Sequence, residues 1–164
     1  MTLRHRGFFA GLEAAAVLSL VMALGRMAGL GVNLELALGA LVTGAEGLGT
    51  WMLGFALHLT LGGLLGEVYA LLLARVLRRS DPHAGLYLGL VHAMVAGLLL
   101  GALGGPLAPL PEVPPMGPFF AALGAPGVAY FILLHALFGV TLAAVLFRRL
   151  AGVPRPAAVS AGPR

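Results

Sequence analysis

The chain has 164 residues, 60% of them hydrophobic and 10% charged, with a mean hydropathy of +1.00. A soluble domain carries about a quarter of its residues charged, so a fully water-facing surface is excluded and lipid is the natural solvent. The formal charge of +4 comes from Arg alone. These residues form no stripe interleaved with aromatics, which excludes nucleic acid as the partner, and the lack of Cys excludes disulfides, thiolate metal sites and cysteine nucleophiles.

In chain order, four apolar runs approach the roughly 20 residues that cross a bilayer: 7–25, 51–74, 84–103 and 127–147. A basic start at Arg4-His5-Arg6 also suits a signal peptide, but Glu13 inside the run argues against cleavage. After the first run, Asn33 is placed to cap a short helix over Leu34–Thr43 that Gly44 ends. It is too short to span and is expected in the interface or slightly re-entrant. Between the second and third runs, Ser80 or Asp81 caps the third helix and Pro82 suits its first turn. Residues 105–124 are Pro-rich and end in a short apolar piece, Phe119-Phe120-Ala121-Ala122-Leu123, before Gly124. The tail 151–164 has the Pro/Ala/Gly-rich composition of a disordered cytoplasmic segment.

Orientation follows from Arg. Arg4, Arg6, Arg75, Arg78, Arg79, Arg148, Arg149, Arg155 and Arg164 flank the runs on one side, and only Arg26 falls on the other. The positive-inside rule then predicts both termini and the middle connection in the cytoplasm of a multi-pass protein of a bacterial inner membrane.

The runs also read as a duplication. Gly7/Gly11 matches Gly85/Gly89, and His58 with Gly62 matches His135 with Gly139. The expected fold is therefore an all-α integral membrane four-helix bundle. It comprises two tandem helix-hairpin repeats, about 7–79 and 82–150, within one domain, 1–150, with short interfacial helices on the outer side. Gly7/Gly11, Gly62/Gly66, Gly85/Gly89 and Gly97/Gly101 have the spacing that lets helices approach closely in lipid. They serve packing of the bundle first, and a partner subunit or a second copy of the chain otherwise.

Ionisable residues at membrane depth are costly and carry the functional expectations. His58 and His135 fall roughly 10–12 Å below the outer surface by the helical rise. As repeat equivalents they would face each other across the bundle, a pair suited to haem b or another metal. The plainer alternative, which the sequence favours, is that each hydrogen-bonds a neighbouring helix. Glu13, Glu67 and His92 fall about 9–12 Å from the cytoplasmic face by the same rise, a set able to hold a divalent metal or relay protons. Here too a plainer alternative is favoured, in which Glu13 and Glu67 reach water or a nearby Arg. Arg26, Glu35, Glu46 and Glu112 fall on the outer side, where a surface ion pair with Arg26 is the plain expectation. Catalytic motifs of the soluble enzymes, among them HExxH, the phosphate-binding loop and the nucleophile elbow, are missing, which argues against an enzyme.

One resemblance bears on these residues. Gly7-x-x-x-Gly11, Asn33-Leu34-Glu35-Leu36, His58 with Gly62, the Gly85/Gly89 pair and His135 with Gly139 together resemble an uncharacterised family of small bacterial four-helix membrane proteins, over most of 7–150. The resemblance implies that His58 and His135 belong to a shared pattern. It places neither His92 nor Glu67, and implies no activity. Proteins of this kind often accompany respiratory complexes such as haem-copper oxidases and nitric oxide reductases. The leading expectation is accordingly an accessory subunit or assembly factor of a larger membrane complex. A His-ligated haem or metal electron carrier comes second, and a small transporter or proton conduit third.

Overall fold

The computed structural model describes residues 1–79, 81–103 and 117–151. The second cap candidate Ser80, most of the Pro-rich segment and nearly all of the expected tail lie outside them. Five α-helices make up the described chain, and it contains no strand: α1 Leu3–Met27, α2 Leu34–Thr43, α3 Leu48–Leu71, α4 Pro82–Leu103 and α5 Gly124–Ala151. A π-helical turn, Leu72–Leu77, continues α3, and a tight turn, Pro118–Leu123, leads into α5. Together these give four stretches long and apolar enough to cross a membrane, Leu3–Met27, Leu48–Leu77, Pro82–Ala102 and Pro118–Leu150. The apolar residues surround the helices rather than forming one stripe, as a lipid-facing bundle requires. Leu90, Met94, Leu98 and Leu99 of α4 point outward and are 41–63% exposed.

Glycine sets how the helices pair. Side chains at Gly7 and Gly11 of α1 would run into the backbone of Gly66 and Gly62 on α3, and those at Gly85 and Gly89 of α4 into the backbone of Gly139 and His135 on α5. Van der Waals contact between bare backbones replaces the hydrophobic drive that lipid does not supply. Both hairpins are therefore antiparallel pairs of long helices, joined chiefly through α1 and α5. Gly97 and Gly101 serve a different purpose, since they leave room for the Phe119 ring and Pro118.

These contacts revise the equivalence of the two histidines. Superimposed on their glycine seams, the hairpins match His135 with Gly62, and Phe131 takes the place of His58. The sequence alignment of His58 with His135 is one helical turn out of the packing register. The seam is fixed by backbone approach at Gly, whereas the alignment was anchored on the imidazoles.

The short helix α2 stands along α3 rather than lying across the end of the bundle. Gly54 of α3 sits against the Glu35 carbonyl and Gly39 of α2 against the Thr50 carbonyl. This antiparallel register buries Glu35, Gly39 and Ala40. Asn33 caps α2, its Oδ1 accepting from Leu36 N at 3.2 Å, and Gly44 ends it at φ +62°. The turn before α5 is left-handed at Phe119 and Phe120, with φ of 54° and 59°. Side chains rarely adopt that conformation, and here packing holds it. Phe119 lies over Gly97, and the Phe120 ring is edge-on to Phe131 at 4.8 Å.

At the Arg-rich end, α4 begins as expected. Asp81 Oδ1 accepts from Ala84 N at 3.0 Å, and Asp81 Oδ2 accepts from Arg79 Nε at 2.9 Å. The Ala84 N–H, and after it the Arg79 guanidinium, hold the Asp81 carboxyl below its usual range. A depressed carboxyl stabilises the fold above its unfolded pKa, near ~3.9, and that contribution is lost as pH falls through the folded value. Asp81→Asn keeps a capping oxygen but not the charge. The wild type is expected to be the more stable at neutral pH, and the difference to shrink as pH falls below about 4 and to vanish once it passes the lowered folded value. Thermal unfolding of both proteins across pH checks this.

Candidate functional site

Three imidazoles line one cavity inside the bundle. His58 comes from α3, His92 from α4 and His135 from α5. The volume is about 220 Å³, and every other lining residue is Leu, Met, Phe or Gly, drawn from α1, α2, α3, α5 and the turn before α5. The cavity lies where α3 and α5, each paired closely with another helix, barely touch one another. Leu61 lines it while being 47% exposed.

His92 and His135 are neighbours, with ring centroids 4.8 Å apart and planes at 82°. This differs from the depths read from the sequence, which placed His92 in an inner layer with the two Glu. His135 lies about 16 Å into α5 by the helical rise, because α5 starts at Gly124 rather than at 127. That brings it to mid-bundle. His92 lies one turn beyond Gly89 on the face that meets His135.

The partners of each ring fix its proton. His135 Nδ1 donates to the Phe131 carbonyl at 2.8 Å, leaving Nε2 a bare lone pair. Tyr69 has one hydroxyl proton, and it goes to the Leu88 carbonyl at 3.1 Å. The same hydroxyl therefore accepts from His92 Nδ1 at 3.2 Å, which leaves His92 Nε2 bare as well. His58 Nε2 donates to the Ala15 carbonyl at 3.3 Å, leaving Nδ1 bare. A neutral imidazole held this way is a metal ligand or a hydrogen-bond acceptor, and which nitrogen serves is set by the bond at the other.

The fit to haem is poor. Axial ligation across one iron places two ring centroids about 6 Å apart, given metal–nitrogen bonds of ~2.0 Å; the neighbours His92 and His135, at 4.8 Å, are closer than that, and the expected pair, His58 and His135, shares a cavity of about 220 Å³. A dry cavity of ~150 Å³ admits benzene. The space here therefore suits one substituted six-membered ring, not a macrocycle of four pyrroles. Among the described residues no three of His, Asp and Glu lie close enough together to hold a metal ion.

The expected relay of Glu13, Glu67 and His92 does not assemble. Glu13 pairs with Arg149, which also lies 5.9 Å over the Phe9 ring, and Glu67 pairs with Arg4 at 3.2 Å. Both carboxylates are drawn to Arg at the ends of the bundle, while His92 faces the cavity. Glu35 departs from expectation in the other direction. Its ion pair with Arg26, at 3.1 Å, is not on the surface: Glu35 is fully buried, and its Oε1 has no hydrogen-bond partner. The Arg26 guanidinium also reaches the Val32 carbonyl at 3.3 Å.

Comparison with known proteins brings nothing to compare. No family model matches the chain, and no curated protein and no solved structure matches it significantly.

Sequence reasoning missed Tyr69. Its spacing from Gly62 and Gly66 was the available signal, because residues three, four and seven apart share a helix face. The same spacing from Gly85 and Gly89 marks His92 as inward-facing.

Proposed function

We propose that this chain is a multi-pass membrane protein that binds one small, ring-sized apolar molecule within its bundle and orients it through His58, His92 and His135. The observation that carries this reading is the convergence of three imidazoles from three helices on one otherwise apolar cavity. Pockets that bind small molecules share this composition, a largely apolar wall with a few convergent polar groups. The protein would lie in a bacterial inner membrane with its Arg-rich end, and both termini, in the cytoplasm. Its two hairpins would descend from a duplication after which the imidazoles took different positions.

Attachment to a respiratory complex, as accessory subunit or assembly factor, is a separate proposal that draws no support from the glycine seams, since these are occupied within the chain. Co-purification from native membranes in mild detergent tests it.

Ligand binding is tested by thermal unfolding in detergent with a series of lipophilic single-ring compounds. A ligand that binds only the folded state stabilises it by about 2.7 kcal/mol at one hundred times its Kd, roughly 5–11 °C in Tm for a chain of this size. A shift of that order is expected in the wild type, and its loss in a chain whose cavity is filled by Leu134→Trp. No shift with any ring compound sinks the reading. A visible spectrum of the purified protein, oxidised and reduced, is expected to lack a stoichiometric haem band.

A further inference from the structure

The cavity offers a small ligand acceptors and no donors. Its lining contains no polar side chain other than the three imidazoles. Each imidazole has already given its proton to the protein: His135 to the Phe131 carbonyl, His58 to the Ala15 carbonyl, and His92 to the Tyr69 hydroxyl, whose own proton goes to the Leu88 carbonyl. Carbonyl oxygens never donate, so His58 and His135 cannot reverse these bonds. Turning either ring nitrogen into a donor toward the cavity means breaking one of them inside the bundle, where an unmade hydrogen bond is expensive.

A ligand matched to this site brings its own O–H or N–H groups. It has to fit about 220 Å³ between Leu, Met and Phe walls. Resting on the binding reading above, we propose that the ligand is a hydroxylated single aromatic ring of the hydroquinone class, bound in its reduced form in preference to the quinone. The reduced ring presents two O–H donors to bare imidazole nitrogens. The oxidised ring presents two carbonyl acceptors and meets lone pair against lone pair. The apolar walls treat the two forms alike, so the discrimination resides in the proton arrangement. His92 depends on Tyr69 for its part of that arrangement, which makes Tyr69 a positioning residue rather than a contact.

The experiment is calorimetric titration of the purified full chain in detergent, without oxygen, with a short-tailed benzoquinol, with the benzoquinone it oxidises to, and with a tailed benzene lacking oxygen. The quinol is expected to bind about ten-fold or more tightly than the quinone, since one to two hydrogen bonds of ordinary net strength separate them. Tyr69→Phe removes the acceptor that fixes His92 while leaving the cavity in place. It is expected to lower the quinol-to-quinone ratio several-fold and leave the affinity for the oxygen-free ring unchanged, an effect that general loosening of the fold would not produce. His135→Leu is expected to weaken the quinol by a larger factor than the oxygen-free ring. Equal affinity for quinol and quinone, or tight binding of the oxygen-free ring alone, overturns this proposal and leaves the ring-binding reading standing. Failure of all three rings to bind a folded protein overturns both.

Discussion

Gly11→Val is expected to abolish assembly of the bundle. A Cβ at Gly11 would fall on the Gly62 carbonyl oxygen and come within 2.9 Å of the Gly62 carbonyl carbon and the Gly66 Cα. Those atoms are backbone on a neighbouring helix, so no side chain can swing away and α1 has to part from α3. Overpacking a well-filled interior costs typically ~1–3 kcal/mol where side chains can adjust. Here the obstacle is rigid and recurs one turn away at Gly7 and Gly66, so a loss above that range is expected. Gly89→Val should do the same to the other hairpin, because its added group meets the His135 carbonyl. Gly49 is the control. Nothing lies within 4 Å of a Cβ there, and Gly49→Ala should be neutral or stabilise α3 by up to about 1 kcal/mol. Unfolding in graded denaturing detergent, followed by circular dichroism, separates the three. A Gly11→Val protein with wild-type stability would show that the α1–α3 seam is not where the bundle closes.

Glu35→Ala is expected to cost about 3–5 kcal/mol, the range for removing one partner of a buried ion pair. Glu35 is fully buried and Arg26 only 26% exposed. The substitution leaves a guanidinium bound to the Val32 carbonyl and to nothing that cancels its charge. Replacing both partners by apolar residues of similar size, Arg26→Met with Glu35→Leu, should recover most of the loss, because the pair's attraction largely offsets its desolvation. A double-mutant cycle on unfolding free energy checks both statements. Near-additive losses would mean that the two side chains do not act as a pair. Because α2 carries Glu35 and also supplies Leu34 and Leu38 to the cavity wall, the single substitution should weaken ring binding as well, with recovery in the double variant.

How far the chain could be read in advance depended on the kind of information each feature holds. The four spanning helices, the Asn33 cap, Gly44 and the Asp81-Pro82 start of α4 follow from composition and local chemistry, which a linear sequence contains. The plainer alternatives for Glu13 and Glu67 also followed from it, since long acidic side chains near helix ends have Arg within reach. The depths of the histidines did not follow. A shift of three residues in the start of α5 moves His135 by about 4.5 Å, enough to take it from an outer layer to a place beside His92. Nor did the burial of Glu35, which depends on α2 standing upright along α3 through close approach at Gly39 and Gly54.

The sequence by itself determined that four helices are long and apolar enough to cross a membrane, and which residue types are available for chemistry within them. The tertiary structure decided which of those residues meet. Apolar periodicity and capping act within a few residues and leave their mark locally. Helix register in a membrane is set by backbone contact at scattered glycines, and one turn of slip exchanges the partners of every polar side chain. That register placed Tyr69, His92 and His135 together, sent Glu13 and Glu67 to the Arg-rich end, and left a cavity in which three imidazoles have no protons to give.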